Sequence, residues 1–186
     1  MAEHCMELHT RRLRLQPLSL RDRDDIYALS RLPEVMRYTS MPALSLEESD
    51  AFLARYLDGM RAGSIASWTV HVHGSGFAGQ ASVFGIDTRN HCGEVGYVLM
   101  PQAWGKGYGS EVVAALVRYG FDYRRLARLN AEIDPANGAS ARVLEKHGFV
   151  REGFRRATLY KENRFHDACL YGIVNERRIA ELSAVE

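Results

Sequence analysis

The sequence predicts a mixed α/β domain built around one sheet, on three observations. Apolar residues recur at a period of two in some stretches and at helical spacing in others, and the two kinds of stretch are interleaved along the chain. Turn residues separate them at strand-like and helix-like lengths. The composition, 46% hydrophobic and 25% charged in 186 residues, is that of one globular domain with a real core.

The elements follow in order. Arg12-Leu13-Arg14-Leu15 alternates polar and apolar and reads as a first strand, ended by Pro17. Ser19 caps a helix over Leu20 to Arg31, with Asp22, Asp24 and Asp25 in its early turns. Glu34 to Pro42 is a loop or a short helix. Ser45-Leu46-Glu47-Glu48 has the form of a capping box. Its helix runs to Met60 with Phe52, Leu53, Tyr56 and Leu57 on one face, and Arg61-Ala62-Gly63 stops it. Ala66 to His73 and Phe77 to Ile86 are strands joined at Gly74-Ser75-Gly76. After a turn at Asp87-Thr88-Arg89-Asn90, Glu94 to Leu99 is a fourth strand, closed by Pro101. A long amphipathic helix spans Gly109 to Tyr123, with Val112, Val113, Leu116 and Val117 inward. Leu129 to Ile133 is a fifth strand. A helix covers Ala139 to His147 and stops at Gly148. Val150 to Tyr160 and His166 to Val174 form a hairpin around Lys161-Glu162-Asn163, and the tail from Asn175 is helical. One domain spans 1–186, with 1–9 and 176–186 as tails prone to fray.

Composition also excludes function classes. The net charge of +1 gives no global basic field, which argues against nucleic-acid binding, including RNA binding on a ribosome. No apolar run is long enough to span a bilayer, and Met1 to Thr10 has no signal-peptide core, so no membrane contact and a cytoplasmic address are expected. Cys5, Cys92 and Cys169 are odd in number and widely spaced, the pattern of free thiols in a reducing compartment.

Chemistry enters at Gly105-Lys106-Gly107-Tyr108-Gly109, between a strand and a helix. The first turn of a helix has N–H groups without partners at the positive end of its dipole, which suits a phosphate. Glycines let the backbone approach the oxygens and allow positive φ. Lys106 adds a cation at the rim. The spacing is neither a Walker loop nor the G-x-G-x-x-G dinucleotide fingerprint. By itself, such a turn is equally what a tight strand-to-helix corner requires.

The surroundings add more. Glu94-Val95-Gly96-Tyr97-Val98-Leu99, Pro101 and Trp104-Gly105-Lys106-Gly107-Tyr108-Gly109 with Glu111 resemble the acetyl-CoA motif of the GNAT N-acetyltransferases, Q/R-x-x-G-x-G/A. Trp104 stands at the first position, as in the ribosomal-protein (RimJ/RimL-type) branch. Asn137-Gly138-Ala139-Ser140 followed by Val143-Leu144-Glu145-Lys146-His147-Gly148-Phe149 resembles the N-x-x-S-x-x-x-x-E-K-x-G-F stretch of that branch. The opening Thr10 to Leu15 and the closing His166-Asp167 with Tyr171 also fit. The resemblance implies a GNAT-like α/β (α+β) domain: a mixed, mostly antiparallel sheet of about seven strands with flanking helices, splayed between strands four and five. It implies acetyl-CoA as co-substrate, with its pantetheine arm in the gap. Backbone groups of Val98, Leu99 and Met100 would pair with that arm, and the N–H of Val98 or a neighbour would polarise the thioester carbonyl. Trp104, Gly105, Lys106, Gly107, Tyr108, Gly109 and Ser110 would hold the pyrophosphate. Asn137 would bond the arm, and Ser140 would sit near the sulfur. No metal is implied.

The implied reaction is direct attack of a neutral amine on a thioester within a ternary complex. A lysine amine, with a reference pKa of about 10.4, is about one part in a thousand neutral near pH 7.4, whereas an α-amine at about 7.8 is roughly a quarter to a third neutral. A protein N-terminus therefore needs less help from a base than a lysine does, and the resembled branch, which also acetylates small amines, adds a small-molecule amine as an expected acceptor. Glu94 and Glu132, on the strands that flank the gap, are the candidate bases, each able to act through a water; each could equally be an outward-facing residue in a salt bridge. The tyrosine acid of many relatives falls at Leu144, so Ser140 is the natural replacement, although a serine there also suits helix capping. Leu159 stands where one relative has a proposed base glutamate. A coenzyme A-binding regulatory module without catalysis is the competing reading. Dimers are frequent in such families, which leaves room for a homodimer.

Other groups carry weaker signals. His71 and His73 share a strand face but lack a third ligand at metal spacing. His166 and Asp167 flank the hairpin turn. Arg142 and Lys146 share a helix face that could meet the 3′-phosphate of coenzyme A. Arg151, Arg155, Arg156, Lys161 and Arg164 make the last hairpin basic. Tyr38, Met41, Pro42 and Phe52 are placed to wall the acceptor site.

Overall fold

The structure is a computed structural model that describes residues 5–39, 44–161 and 163–184. Eight strands form one open sheet. They are β1 (Leu8–His9), β2 (Leu13–Pro17), β3 (Ala66–Val72), β4 (Gly76–Asp87), β5 (Cys92–Leu99), β6 (Arg128–Ile133), β7 (Val150–Lys161) and β8 (Arg164–Val174). The helices are α1 (Arg23–Ser30), α2 (Pro33–Met36), α3 (Leu46–Arg61), α4 (Tyr108–Arg118), α5 (Gly138–Lys146) and α6 (Glu176–Ser183). The spatial order is β1-β2-β3-β4-β5-β6-β8-β7. Every neighbouring pair is antiparallel except β5 and β6.

The eighth strand corrects the expected count of seven. β1 lies inside the stretch read as a tail. Two residues are too short to show alternation, but Leu8 is buried opposite Leu15. The helix after Ser19 begins as a 3-10 turn over Leu20–Asp22, closed by a reciprocal cap between Ser19 and Asp22. The long amphipathic helix ends earlier than its apolar pattern suggests. After Arg118 it widens into a π-turn over Tyr119–Tyr123, which sets Tyr119 edge-on to the fully buried Trp68. The stretch Glu34 to Pro42, read as a loop or a short helix, opens within the short helix Pro33–Met36, and residues 40–43 lie outside the described residues. So does Glu162 of the last hairpin.

The capping box ahead of α3 is made as expected. Glu48 N–H donates to Ser45 Oγ at 3.1 Å, and Ser45 N–H donates to the Glu48 carboxylate at 2.6 Å. Ser45→Ala should cost about 1 kcal/mol, lowering Tm by about 2–4 °C in a chain of this size; thermal unfolding followed by circular dichroism checks this.

The two faces of the sheet bury different helices. α4 and α5 cover Val95, Leu99, Leu129 and Ala131 in the main core, with Val112, Val113, Leu116 and Leu144 inward. The opposite face carries α1, α2 and α3, and there Val98 and Met100 pack against Leu29, Val35 and Met36. No helix among the described residues is long and apolar enough to cross a membrane.

The sheet splits at its one parallel pairing. β5 and β6 pair only at Cys92↔Arg128, Gly93↔Leu129 and Glu94↔Asn130. Beyond Glu94, β5 stays with β4 as far as Leu99, and beyond Asn130, β6 stays with β8 as far as Ile133. The strands diverge into a V, the splay expected between the fourth and fifth strands read from the sequence.

Candidate functional site

The V opens into a cleft of about 430 Å³ whose walls come from β4, β5, β6, α5, the middle of α3, the segment after α2, and the β7–β8 hairpin. Strand alternation assigns each side chain to a face. Val95, Tyr97 and Leu99 point toward α4 and α5, whereas Glu94, Gly96 and Val98 point toward α1–α3. On β6, buried Ala131 faces the main core and Glu132 the other way. The gap therefore joins two chemical environments that a continuous sheet would separate.

At one end lies the glycine turn. Gly105 and Gly107 have φ of +71° and +78°, a conformation that costs a side chain free energy. Gly107 is the left-handed N-cap of α4, and no side chain caps the helix. A Cβ on Gly109 would sit 3.2 Å from the Tyr97 ring, so glycine lets the helix start lie against that ring. Trp104 donates its indole N–H to Leu99 O at 2.8 Å, tying the turn to the strand end. Ser110 Oγ and His147 Nε2, 2.7 Å apart, tie it to α5. Lys106 is exposed. Arg12, read from the sequence only as a strand residue, brings a second cation. Its guanidinium stacks on Tyr108 at 4.6 Å, bonds Glu111 at 2.5 Å, and lies 3.3 Å from where a Cβ on Gly107 would be. An uncapped helix start, positive-φ glycines and two cations fit a pyrophosphate.

The β5 backbone narrows the list of groups that can meet an extended ligand arm. Met100 N–H donates to Ala78 O at 2.8 Å, its carbonyl accepts from Ala103 N–H, and the Leu99 carbonyl accepts from Trp104. Hydrogen-bonded pairs alternate in an antiparallel ladder. The Met100–Ala78 bond therefore turns the amide of Val98, opposite Gln80, toward β4, and those of Tyr97 and Leu99 toward the gap. Of Val98, Leu99 and Met100, Leu99 is the residue whose N–H faces the cleft; Tyr97 joins it.

The two carboxylates differ sharply. Glu94 is the last β5 residue paired to β6. Burial, then the nearby Glu132 charge, push its carboxyl up from 4.5 to about 7, opposed by Arg155. Glu132 is more open and forms a 2.7 Å ion pair with Arg155 on β7.

Across the gap, Tyr97 Oη and Ser140 Oγ are 3.4 Å apart. Burial raises the phenol's pKa, with the Ser140 bond opposing, so Tyr97 stays protonated near neutrality. Asn137, not Ser140, caps α5: Ser140 N–H donates to Asn137 Oδ1 at 3.1 Å, which leaves the serine hydroxyl for Tyr97. Leu144, at the usual tyrosine position, is buried in the core. Sequence reasoning missed Tyr97. Its signal was present, since the alternation along β5 puts it on the α4–α5 face, opposite Gly109.

The weaker candidates separate. Tyr38, Phe52 and Leu159 line the cleft; Met41 and Pro42 lie outside the described residues. His71 bonds Thr69, and among the described residues no group of three or more His, Cys, Asp or Glu side chains is arranged to hold a metal. Arg142 and Lys146 are exposed on α5. Gln80 and Ser82, which the sequence did not flag, form a buried polar floor with Ser67, through bonds of 3.1 and 2.8 Å.

Comparison with known proteins gives concordant matches. A family model described as an acetyltransferase (GNAT) domain matches residues 12–150. The chain is 32% identical over 178 residues to the uncharacterized N-acetyltransferase YoaA of Bacillus subtilis, covering 91% of this chain and 97% of that protein. Among solved structures, it is similar to the ribosomal L7/L12 alpha-N-protein acetyltransferase RimL in complex with coenzyme A, with a TM-score of 0.83 at 19% identity, covering 91% and 98% of the two chains. It is also similar to the spermidine N-acetyltransferase of Vibrio cholerae in complex with coenzyme A and spermine, with a TM-score of 0.81 at 19% identity, covering 91% and 99%.

Proposed function

The chain belongs to the GNAT acetyltransferase family, and from that premise we propose that it moves the acetyl group of acetyl-CoA to a primary amine for which Glu94 is the base. The observation that carries this reading is the half-buried Glu94 carboxyl at the point of the V, raised to about 7. A base works best when its pKa lies near the working pH. Glu132, already ion-paired to Arg155, serves as a hydrogen-bond acceptor that orients the amine.

When bound, acetyl-CoA supplies an electrophilic thioester and a thiol leaving group. Leu99 N–H and Tyr97 N–H face the gap and can hold an extended arm like an added strand. The uncapped start of α4 with Arg12 and Lys106 can hold phosphates. Glu94 accepts the amine proton, directly or through a water, on the α1–α3 side. Tyr97, with Ser140, keeps a proton on the α4–α5 side, where the departing sulfur needs one; a thiol near 8.5 asks for little more than a hydrogen bond. Direct attack in a ternary complex then draws on proximity for much of its rate. The acceptor is a protein N-terminal α-amine, as the RimL likeness suggests, or a small-molecule amine, as the spermidine enzyme suggests.

Thiol release from acetyl-CoA, followed colorimetrically with peptides, amino acids and polyamines, tests the reading. Tight acetyl-CoA binding with no thiol release from any of them would leave a non-catalytic coenzyme A-binding module in its place. Tyr97→Phe should lower kcat about 10-fold or more. Ser140→Ala should lower it less, and the double variant should be no worse than Tyr97→Phe, because the two hydroxyls act as one unit. Fully additive losses would contradict the shared proton.

A further inference from the structure

We propose that the acceptor carries an anionic group next to its amine, and that Arg37 and Arg55, at the α1–α3 mouth of the cleft, bind that group. The proposal rests on the amine-acetyltransferase reading above and specifies its substrate class.

The argument is one of charge left over. Arg37 and Arg55 both line the cleft. Each guanidinium lies over an aromatic ring, Arg37 at 5.2 Å from the Tyr38 centroid and Arg55 at 5.5 Å from that of Phe52. Neither makes an ion pair with any described carboxylate. Lys161 adds a third cation beside them, and its ammonium donates to the backbone carbonyls of Met36 and Thr39, which hold it in place without neutralising it.

The acidic groups of the cleft are, by contrast, engaged or deep. Glu132 is paired with Arg155. Asp134 accepts from Ala136 N–H at 2.7 Å and faces His166 at 3.9 Å. Asp167 accepts from Ala157 N–H at 2.9 Å. Glu94 lies at the point of the V. Field and geometry thus run from a carboxylate at depth, suited to the amine, to guanidiniums at the mouth, suited to a carboxylate. Stacked arginines are already oriented, and their planar forks match a carboxylate in two hydrogen bonds. A polyamine would bring its second ammonium against the same cations, and like charges at a mouth select against a partner.

Two sources supply this chemistry: an N-terminus followed by acidic residues, and a free amino acid with an acidic side chain. The test is a set of kcat/KM values for tetrapeptide amides that differ only in their second and third residues, two aspartates against two lysines, with free aspartate and spermidine alongside. The acidic peptide or free aspartate should exceed the lysine peptide and spermidine by at least about tenfold, with KM rising as salt is added. Whichever of the two leads identifies the source. In Arg37→Glu/Arg55→Glu the ratio of the acidic to the lysine peptide should collapse or invert; a ratio is not moved by a general loss of activity. Equal rates on the two peptides with no lead for free aspartate, preference for lysine or spermidine, or an advantage of the leading acidic acceptor over the lysine peptide that is unchanged in the double variant would overturn the proposal. Thiol release with basic amines alone would overturn it while leaving the acetyltransferase reading intact. No release with any amine would overturn both.

Discussion

Glu94→Gln lowers kcat/KM by about 10²–10⁴-fold, the range for removing a general base, and at the same time makes the protein more stable above neutral pH. Both effects come from one cause. The Glu94 carboxyl is raised from 4.5 to about 7, mainly by burial and then by Glu132. Between those two values the folded state keeps a proton that the unfolded chain has released. Wild-type stability therefore declines as pH climbs from about 4.5 to about 7 and stays lower above that. Glutamine stays neutral and avoids this loss, so the variant melts higher than wild type at pH 8 and close to it at pH 4. The wild-type kcat/KM profile should have an acid limb near 7, and the variant should lose it. Glu132→Gln removes a like charge and should shift that limb to lower pH. Arg155→Met removes the opposing cation and should shift it higher. Melting curves and rate profiles at a series of pH values measure all of these. An acid limb that stays put in both neighbours' variants would mean that another group sets it.

Gly79→Ala should be the most damaging single methyl group added to the strands that carry the cleft. Gly79 lies on β4 opposite Leu99 with φ of +151°. A Cβ there would fall 2.1 Å from the Val98 carbonyl oxygen and 2.8 Å from Leu99 Cα. Both are backbone atoms, so no rotamer change relieves the clash and the strands must part. Strain at such a φ costs about 1–3 kcal/mol, and forced separation about 1–3 more. A total of about 2–6 kcal/mol lowers Tm by roughly 4–24 °C. The displaced stretch includes the Leu99 amide, so KM for acetyl-CoA should rise as well. Gly85→Ala on the same strand is the control: its φ is also positive, at +57°, but nothing lies within 4 Å of its Cβ. If Gly85→Ala were equally harmful, strain alone, not the close approach to β5, would explain Gly79.

The fold was legible where the code is local. The Ser45–Glu48 box, the glycine stop after α5 and the alternation of β3 to β5 are written in neighbouring residues. β1 was not, because its warrant is a single pairing with Leu15, distant in pattern if not in sequence. The π-turn after α4 was also hidden, since it serves the packing of Tyr119 on Trp68, far back in the chain. At the site, the two glutamates and the glycine turn were readable as residue types in order. Which glutamate has the raised pKa was not, because that depends on how far the closed sheet buries Glu94 and how near it brings Glu132. Tyr97 and Arg12 had local patterns of their own, but their roles come from Ser140 and the glycine turn, contacts that exist only after the chain closes.

The V has a mechanical consequence. Within the sheet, two hydrogen-bonded blocks, β1–β5 and β6–β8, share three residue pairs, placed as the pivot of a pair of jaws would be. Glu94 sits at the pivot, where a small rotation moves an atom least. Arg37 and Lys161 ride at the ends of opposite jaws, where the same rotation moves atoms most, and the bond from Lys161 to Met36 latches them together. Any rotation of the two blocks about those pairs would displace atoms at the mouth more than atoms at Glu94, so the entrance would change width while the base of the cleft stays nearly fixed.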